Sequence, residues 1–227
     1  MSQVSFINID ELLKTYKLSF DADGVLINSR APVVKVFNKL LKTDYKQEDL
    51  KSWTAIFEWA MKAGLDKDEA YKLDRKLWTD PDVLFKSPPM PGAIELTRKL
   101  HEQGIRLTVA TSRAPKLKES TVGWFRKWMP WIEQVYIRES NDIPGEVFKA
   151  EAVKQLGSRV HFEDDPVHTE SILDRTEACV VFMPYMKEVS ITSSNRIIQV
   201  STEDNKIPNL WHIYQQLKDK NVYVAQY

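Results

Sequence analysis

Short apolar runs alternate along the chain with longer stretches in which apolar residues recur at helical spacing. The runs are rich in β-branched and aromatic residues, which is typical of buried strands. The strand candidates are Leu18–Phe20, Ile105–Ala110, Val135–Ile137, Val160–Phe162, Cys179–Phe182 and Ile197–Val200. This alternation predicts an α/β fold in which helices flank a mostly parallel sheet.

One interval breaks the alternation. Between about Asn28 and Pro89 every pattern is helical, and no strand candidate interrupts it. About sixty residues of helix is too much for a single crossover between neighbouring strands. We therefore predict a helical cap over residues 28–88, inserted after the first strand, and a core domain formed by residues 1–27 and 89–227.

The composition narrows the class of protein. With 43% hydrophobic residues among 227, the chain can bury a sizeable core. Lysine and arginine total 32, as do aspartate and glutamate, so no nucleic acid polymer is expected as a partner. The single cysteine, Cys179, excludes an intramolecular disulfide and a thiolate zinc cluster. Because no apolar run approaches about 18 residues and no basic-then-apolar start is present, we expect a cytoplasmic protein without a membrane span.

The first strand ends in two aspartates, Asp21 and Asp23, followed by Gly24. In an open parallel sheet, ligands bind beyond the carboxyl ends of the strands. Two carboxylates at this position are therefore candidates for chemistry. The alternative is an acidic turn in which Gly24 supplies a positive φ.

A second acidic segment follows the strand Val160–Phe162, where the sequence continues Glu163-Asp164-Asp165-Pro166. If the two strands are neighbours, several negative charges crowd together, which is costly unless a cation neutralises them. The candidate ligands are all oxygens, so a hard ion such as Mg²⁺ fits. The alternative for Asp164 and Asp165 is a solvated turn leading into a helix that starts at Pro166.

Polar residues also follow the strand Ile105–Ala110, in the order Thr111-Ser112-Arg113. A hydroxyl and backbone N–H groups at a strand end suit phosphate oxygens, although they also suit a helix cap. A cation comes from Lys149, near the start of the helix before the acidic strand. Lys154, one turn later, competes with it, and an ordinary surface lysine is the alternative for either.

These four elements, in this order, resemble the haloacid dehalogenase-like superfamily of phosphotransferases. The resemblance covers about residues 18–166. It implies a Rossmann-like core and, as in one large branch of the superfamily, a helical cap between the first and second motifs. It also implies Mg²⁺-dependent hydrolysis of a small phosphomonoester through an aspartyl-phosphate intermediate.

The resemblance implies a role for each matching residue. Asp21 would be the nucleophile, and Asp23 would be the general acid and then the base. Thr111 and Lys149 would hold the phosphoryl group. The Mg²⁺ ligands would be Asp21, the backbone carbonyl of Asp23, Asp164 and, through water or by orienting the other ligands, Asp165.

Within the superfamily, the 5'(3')-deoxyribonucleotidases look most similar, through the aromatic-rich end of the cap (residues 77–85) and the adjacent acidic pair. This resemblance implies a nucleoside monophosphate as substrate. Ser112 and Arg113 are candidate substrate-binding residues, and Arg113 stands where that subgroup has a proline. The aromatic candidates for stacking on a base are Trp53, Phe57 and Trp78. The alternative for all three is the core of the cap.

Two other functions fit the same motifs. One is a sugar-phosphate phosphatase or a phosphomutase of the same fold, and a mutase would depend on a bisphosphate activator and release little phosphate. The other is a non-catalytic binding protein built on this scaffold. The oligomeric state does not follow from the sequence.

Overall fold

Within the residues that the computed structural model describes (17–52, 54–184, 191, 194–200 and 209–219), six strands form one sheet. All the strand pairs are parallel, in the order β3-β2-β1-β4-β5-β6. The bounds are β1 Leu18–Phe20, β2 Leu107–Thr111, β3 Gln134–Ile137, β4 Val160–Glu163, β5 Cys179–Phe182 and β6 Ile197–Gln199. The predicted fold class is confirmed, and all six predicted strands are present, although β2 begins at Leu107 instead of Ile105 and β6 ends at Gln199 instead of Val200.

Helices account for much of the remaining described chain. They are α1 Arg30–Leu41, α2 Ala55–Lys62, α3 Lys67–Trp78, α4 Pro81–Phe85, α5 Ala93–Glu102, α6 Lys118–Trp128, α7 Gly145–Gln155, α8 Pro166–Arg175 and α9 Leu210–Asp219. Their starts follow local chemistry: Asp66 and Glu69 form a reciprocal capping box at α3, and Asp165 caps α8 just before Pro166. None of the described helices has the length and apolar character that crossing a bilayer requires.

The central strand β1 lies between β2 and β4. In register, Phe20 pairs with Val109 of β2 and with Phe162 of β4. Because these three strands are parallel and adjacent, the residues that follow them meet at one edge of the sheet. This topology brings the three polar segments of the sequence together.

Apolar side chains cover both faces of the sheet. On one face, Phe20 and Phe162 stack with ring centroids 4.5 Å apart, in a cluster that includes Trp124 of α6. On the other face, Val153 of α7 and Ile172 of α8 belong to a second cluster. The sheet is therefore sandwiched between two helical layers, and its polar carboxyl edge is left for the site.

The segment between β1 and α5 has a hydrophobic cluster of its own. Its buried members are Val33, Val34, Phe37, Leu50, Ala55, Ile56, Trp59, Ala60, Ala70, Leu77 and Val83. The two connections to the core run side by side, since the Asn28 N–H donates to the Pro88 carbonyl and the Met90 N–H donates to the Leu26 carbonyl, both at 2.9 Å. These contacts support a cap over residues 28–88, a division that we retain as a proposal.

One hydrogen bond joins the end of this cap to the core. The Trp124 indole is fully buried, and its Nε1 donates to the Ser87 carbonyl at 2.7 Å. We predict that Trp124→Phe lowers the free energy of unfolding in urea by roughly 1–3 kcal/mol, because the buried carbonyl loses its donor. Trp128→Phe is the matched control, since Trp128 Nε1 is buried without a partner among the described residues. Equal losses in the two variants would contradict the prediction.

Candidate active site

The loop after β1 places the first two aspartates. The Asp21 N–H donates to the Phe162 carbonyl at 2.9 Å, which extends the sheet by one residue and leaves the Asp21 side chain buried. Gly24 has φ +81°, and a Cβ at this position would collide with the side chains of Asp164 and Arg30. The two interpretations of the motif, a turn that requires glycine and a pair of carboxylates at the edge of the sheet, are therefore compatible.

A fully buried lysine connects the first strand with the fourth. Lys149 Nζ, from α7, lies 2.8 Å from Asp21 Oδ1 and 2.8 Å from Glu163 Oε2. Burial lowers the pKa of Lys149, but the two carboxylates outweigh burial and raise it, so the side chain remains an ammonium. The competing Lys154 lines a separate surface cavity with Lys17. The structure therefore brings Lys149, and not Lys154, to Asp21.

The carboxylate of Glu163 is a member of the site to which the sequence analysis assigned no role. Its Oε1 accepts the N–H groups of Asp164 and Asp165, both at 3.1 Å, and its Oε2 contacts Lys149. Burial raises the pKa of Glu163, but Lys149 and the histidine hydrogen bonds outweigh burial and hold it well below its ordinary value. Glu163 is therefore a buried anion that orients both the lysine and the loop after β4.

A neutral histidine lies beneath this anion. His161 Nδ1 is 2.8 Å from Ser19 Oγ, and His161 Nε2 is 3.3 Å from Glu163 Oε2. Burial lowers the pKa of His161, so the ring is uncharged. Since Glu163 only accepts, the consistent tautomer carries its proton on Nε2 and accepts from the Ser19 hydroxyl on Nδ1. His161 and Glu163 are two residues apart on a strand and therefore share one face, which is the sequence signal that would have revealed the pair.

The second aspartate is held by an arginine. Arg113 Nε and Nη2 donate to the two oxygens of Asp23, both at 2.7 Å, and Arg113 Nη1 donates to Thr121 Oγ1 at 2.9 Å. Burial raises the pKa of Asp23, but the guanidinium outweighs burial and lowers it. This bidentate pair keeps Asp23 ionised. Arg113, predicted to bind substrate, is here committed to side chains of the protein.

A third ion pair joins the cap to the core. Arg30 Nη2, at the start of α1, donates to Asp164 Oδ2 at 2.9 Å, and both side chains are buried. Burial raises the pKa of Asp164 to about 6 despite this partner. The chain thus supplies a cation for each of Asp21, Asp23 and Asp164. These basic side chains offset part of the negative charge that the sequence analysis expected a metal ion to neutralise.

The residues nevertheless fit a divalent cation. Asp21, Glu163 and Asp164 each offer a carboxylate oxygen, and these oxygens lie within 4.8 Å of one another. Burial raises the pKa of Asp21 as well as that of Asp164, so both carboxylates remain incompletely compensated. Hard oxygen donors of this kind suit Mg²⁺. The Asp23 carboxylate lies outside this group, which leaves its backbone carbonyl as the predicted ligand.

Asp165 has a structural task that the sequence allowed for. Its Oδ1 accepts the N–H groups of Val167 and His168, at 2.7 and 3.1 Å, as the cap of α8. The side chain also lines the cavity over the site. An outer role toward a metal ion therefore stays a prediction.

A cavity of about 370 Å³ opens above these groups, a size suited to a small ligand. Asp21, Thr111 and Ser112 line it from the core, and Trp78 lines it from the cap. Phe57 packs with the cap cluster and is not among the lining residues. Trp53 lies outside the described residues. Of the three aromatic candidates, the structure brings Trp78 to the site.

The sequence of residues 18–127 matches the model of the haloacid dehalogenase-like hydrolase family. The match covers just under half of the chain, and over this part the sequence is similar to that family. The matched segment of this hydrolase contains Asp21, Asp23 and Thr111, whereas Lys149 and Asp164 follow it. No curated protein matches the chain.

Solved structures share the fold of this hydrolase. A predicted phosphoglycolate phosphatase from Haemophilus somnus has a TM-score of 0.58 at 17% identity, over 78% of this chain and 90% of that one. A presumed hydrolase of the superfamily from Bacillus subtilis, bound to magnesium, has a TM-score of 0.56 at 13% identity, over 88% and 99%. A presumed β-phosphoglucomutase from Thermotoga maritima has a TM-score of 0.56 at 12% identity, over 89% and 98%. At such identities the likeness shows the fold alone.

The buried Glu163 gives this hydrolase a pH-dependent stability. We predict that Glu163→Gln, in chelator at pH 7, lowers the free energy of unfolding by roughly 1–3 kcal/mol, because Lys149 loses one of its two anions. A depressed pKa means that this contribution is present above the ordinary value of 4.5 and is lost as the pH falls through the folded-state value. The difference in the free energy of unfolding between wild type and variant should therefore decrease below pH 4.5.

Urea unfolding measured at a series of pH values checks this prediction. Glu151→Gln, at an exposed position on the same helix as Lys149, is the control and should leave stability nearly unchanged at every pH. A difference for Glu163→Gln that stays constant as the pH falls would contradict an ionised Glu163.

Proposed function

We propose that the protein is a Mg²⁺-dependent phosphatase that hydrolyses small phosphomonoesters through an aspartyl-phosphate on Asp21. The observation that carries the proposal is the position of Asp21, a buried carboxylate at the end of the central strand with a buried ammonium 2.8 Å away. It faces a cavity of about 370 Å³ lined by Thr111 and Ser112. The match to a hydrolase family supports the same conclusion.

In the first step, an oxygen of Asp21 attacks phosphorus while the bond to the leaving oxygen breaks. Lys149 offsets the repulsion between this carboxylate and the anionic phosphate, and it also lowers the pKa of Asp21 against the effect of burial. The Thr111 hydroxyl and the N–H groups after β2 would donate to the phosphoryl oxygens. A bound Mg²⁺, held by Asp21, Asp164 and the Asp23 carbonyl, would add neutralising charge.

In the second step, water attacks the aspartyl-phosphate and needs a base. Asp23 is already ionised, because Arg113 lowers its pKa, and it can take this proton directly. Acting as the acid of the first step is harder, since Asp23 must first gain a proton that Arg113 disfavours. Leaving groups that depart as stable anions depend least on that proton, so we infer a preference for phosphomonoesters with acidic leaving groups.

The substrate class is part of the proposal. The structural neighbours described as a phosphoglycolate phosphatase and a β-phosphoglucomutase favour small organic phosphates and sugar phosphates. Trp78 at the cavity wall supports the alternative of a nucleoside monophosphate, through stacking on the base. Phosphate release across a panel of sugar phosphates, short organic phosphates and nucleotides tests the choice. A mutase would instead show little net release and a need for a bisphosphate.

The nucleophile is tested by Asp21→Asn. We expect phosphate release to fall by roughly a thousandfold or more, because an amide does not form the covalent intermediate. The variant should remain folded, with a loss of stability no larger than that of Glu163→Gln, because Lys149 keeps its contact with the Glu163 carboxylate. Asp68→Asn, at an exposed position of α3, is the control for the loss of one aspartate. Turnover similar to wild type in Asp21→Asn would remove Asp21 from this role.

The metal is tested by chelation. We expect excess chelator to abolish phosphate release and added Mg²⁺ to restore it, because burial leaves the charges of Asp21 and Asp164 partly uncompensated. Asp164→Asn should raise the Mg²⁺ concentration needed for half-maximal activity by roughly tenfold or more. Full activity in chelator would show that Arg30, Lys149 and Arg113 suffice without a metal ion.

A further inference from the structure

A second cavity adjoins the candidate active site on the cap side. It has a volume of about 670 Å³ and shares Thr79, Ala114 and Arg138 with the walls of the first cavity. Its basic lining residues are Lys72, Arg75, Lys76, Lys116 and Arg138. We call this cavity the basic groove. Because the two cavities share walls, a ligand with its phosphomonoester at Asp21 can extend into the basic groove.

The charge of the basic groove is one-sided. Five of its lining side chains are cationic, and its one carboxylate is Asp80. The Asp80 Oδ1 atom is occupied as the cap of α4, where it accepts the Asp82 and Val83 N–H groups. Within the part of the chain that the structure describes, none of the five cations forms an ion pair with a carboxylate. Unpaired like charges in one concave surface raise the local concentration of anions.

The candidate active site contrasts with the basic groove. There the cations Arg30, Arg113 and Lys149 each contact a carboxylate, at 2.7 to 2.9 Å. The two arginines are thus committed to Asp164 and Asp23. The unpaired cations that could bind a second anionic group of a ligand therefore lie in the adjoining basic groove.

Arg138 marks the junction of the two cavities. Its Nη1 donates to the Ile143 carbonyl at 3.2 Å, whereas its Nε is buried and has no hydrogen-bond partner among the described residues. A buried guanidinium N–H without an acceptor is unfavourable. Arg138 thus places a cationic side chain on the wall that the two cavities share.

We propose that the basic groove binds a further phosphate group of the substrate, so that the enzyme prefers phosphomonoesters that carry a second phosphate. A phosphate offers several acceptor oxygens and up to two negative charges, which match several convergent lysine and arginine donors. The groove has a volume of about 670 Å³ and the whole chain has no net charge, which favours a small polyphosphorylated molecule over a nucleic acid polymer. The proposal rests on the proposed phosphatase function and adds the substrate class.

Charge reversal in the groove provides the test. Lys72→Glu/Lys76→Glu changes two exposed groove residues of α3, and Lys62→Glu/Lys67→Glu makes the same charge change at exposed cap positions outside the groove. The measured quantity is kcat/KM for a bisphosphate divided by kcat/KM for the matched monophosphate, with sugar and nucleoside pairs. In wild type this ratio should exceed one and should fall as salt is added.

The groove variant should lower this ratio by roughly three- to tenfold, whereas the control variant should leave it within about twofold. Dividing by the monophosphate value removes the loss of long-range attraction that both substrates share. A ratio near one in wild type, or an equal fall in the two variants, would overturn the proposal.

A binding measurement separates this proposal from the proposed function. Isothermal titration calorimetry with inorganic tripolyphosphate, in the Asp21→Asn background, requires no turnover. The groove variant should weaken tripolyphosphate binding by roughly three- to tenfold relative to the control variant. If wild type released no phosphate from any substrate but this difference appeared, phosphate binding in the basic groove would be supported and the proposed phosphatase function would be rejected. Equal affinity in the two variants would overturn the groove.

Discussion

The site depends on one buried cation, the Lys149 ammonium, held between the carboxylates of Asp21 and Glu163. All three side chains are buried. The two contacts of 2.8 Å offset the unfavourable free energy of removing the Lys149 charge from water. Asp21 directly follows β1, Glu163 ends β4, and Lys149 lies on the helix between β3 and β4. The interaction therefore fixes the relative position of these three elements and holds Asp21 at the wall of the cavity.

Much of this arrangement could be predicted from the sequence, because it follows from strand topology. Apolar runs of β-branched and aromatic residues located the strands, and parallel strands place their carboxyl ends at one edge. Asp21, Thr111 and Asp164 were therefore expected to meet, and they do. Lys149 and Lys154 differ by more than one turn of the same helix, so helical geometry alone did not decide between them. The decision came from packing, which buries Lys149 against the sheet and leaves Lys154 at the opposite side.

The pairing of charges could not be predicted, because it depends on tertiary distances that no spacing rule encodes. Arg113 lies close to the polar end of β2 and was predicted to bind substrate. Its guanidinium forms a bidentate ion pair with Asp23, which lies ninety residues earlier in the chain. Glu163 was part of the acidic segment, but its backbone and lysine contacts required the fold. The aromatic residues of the cap illustrate the same limit: helical spacing identifies a buried stripe, and whether Phe57 or Trp78 faces the cavity depends on how the helices pack.

Arg30 connects the predicted cap to the core through an ion pair. It lies at the start of α1, within the predicted cap, while its carboxylate partner Asp164 follows β4. Displacing this helix end from the sheet leaves Asp164 with less positive charge, and a cation bound at Asp164 competes with Arg30 for the same carboxylate. Occupancy of the acidic cluster by a metal ion would therefore be linked to the position of this helix end.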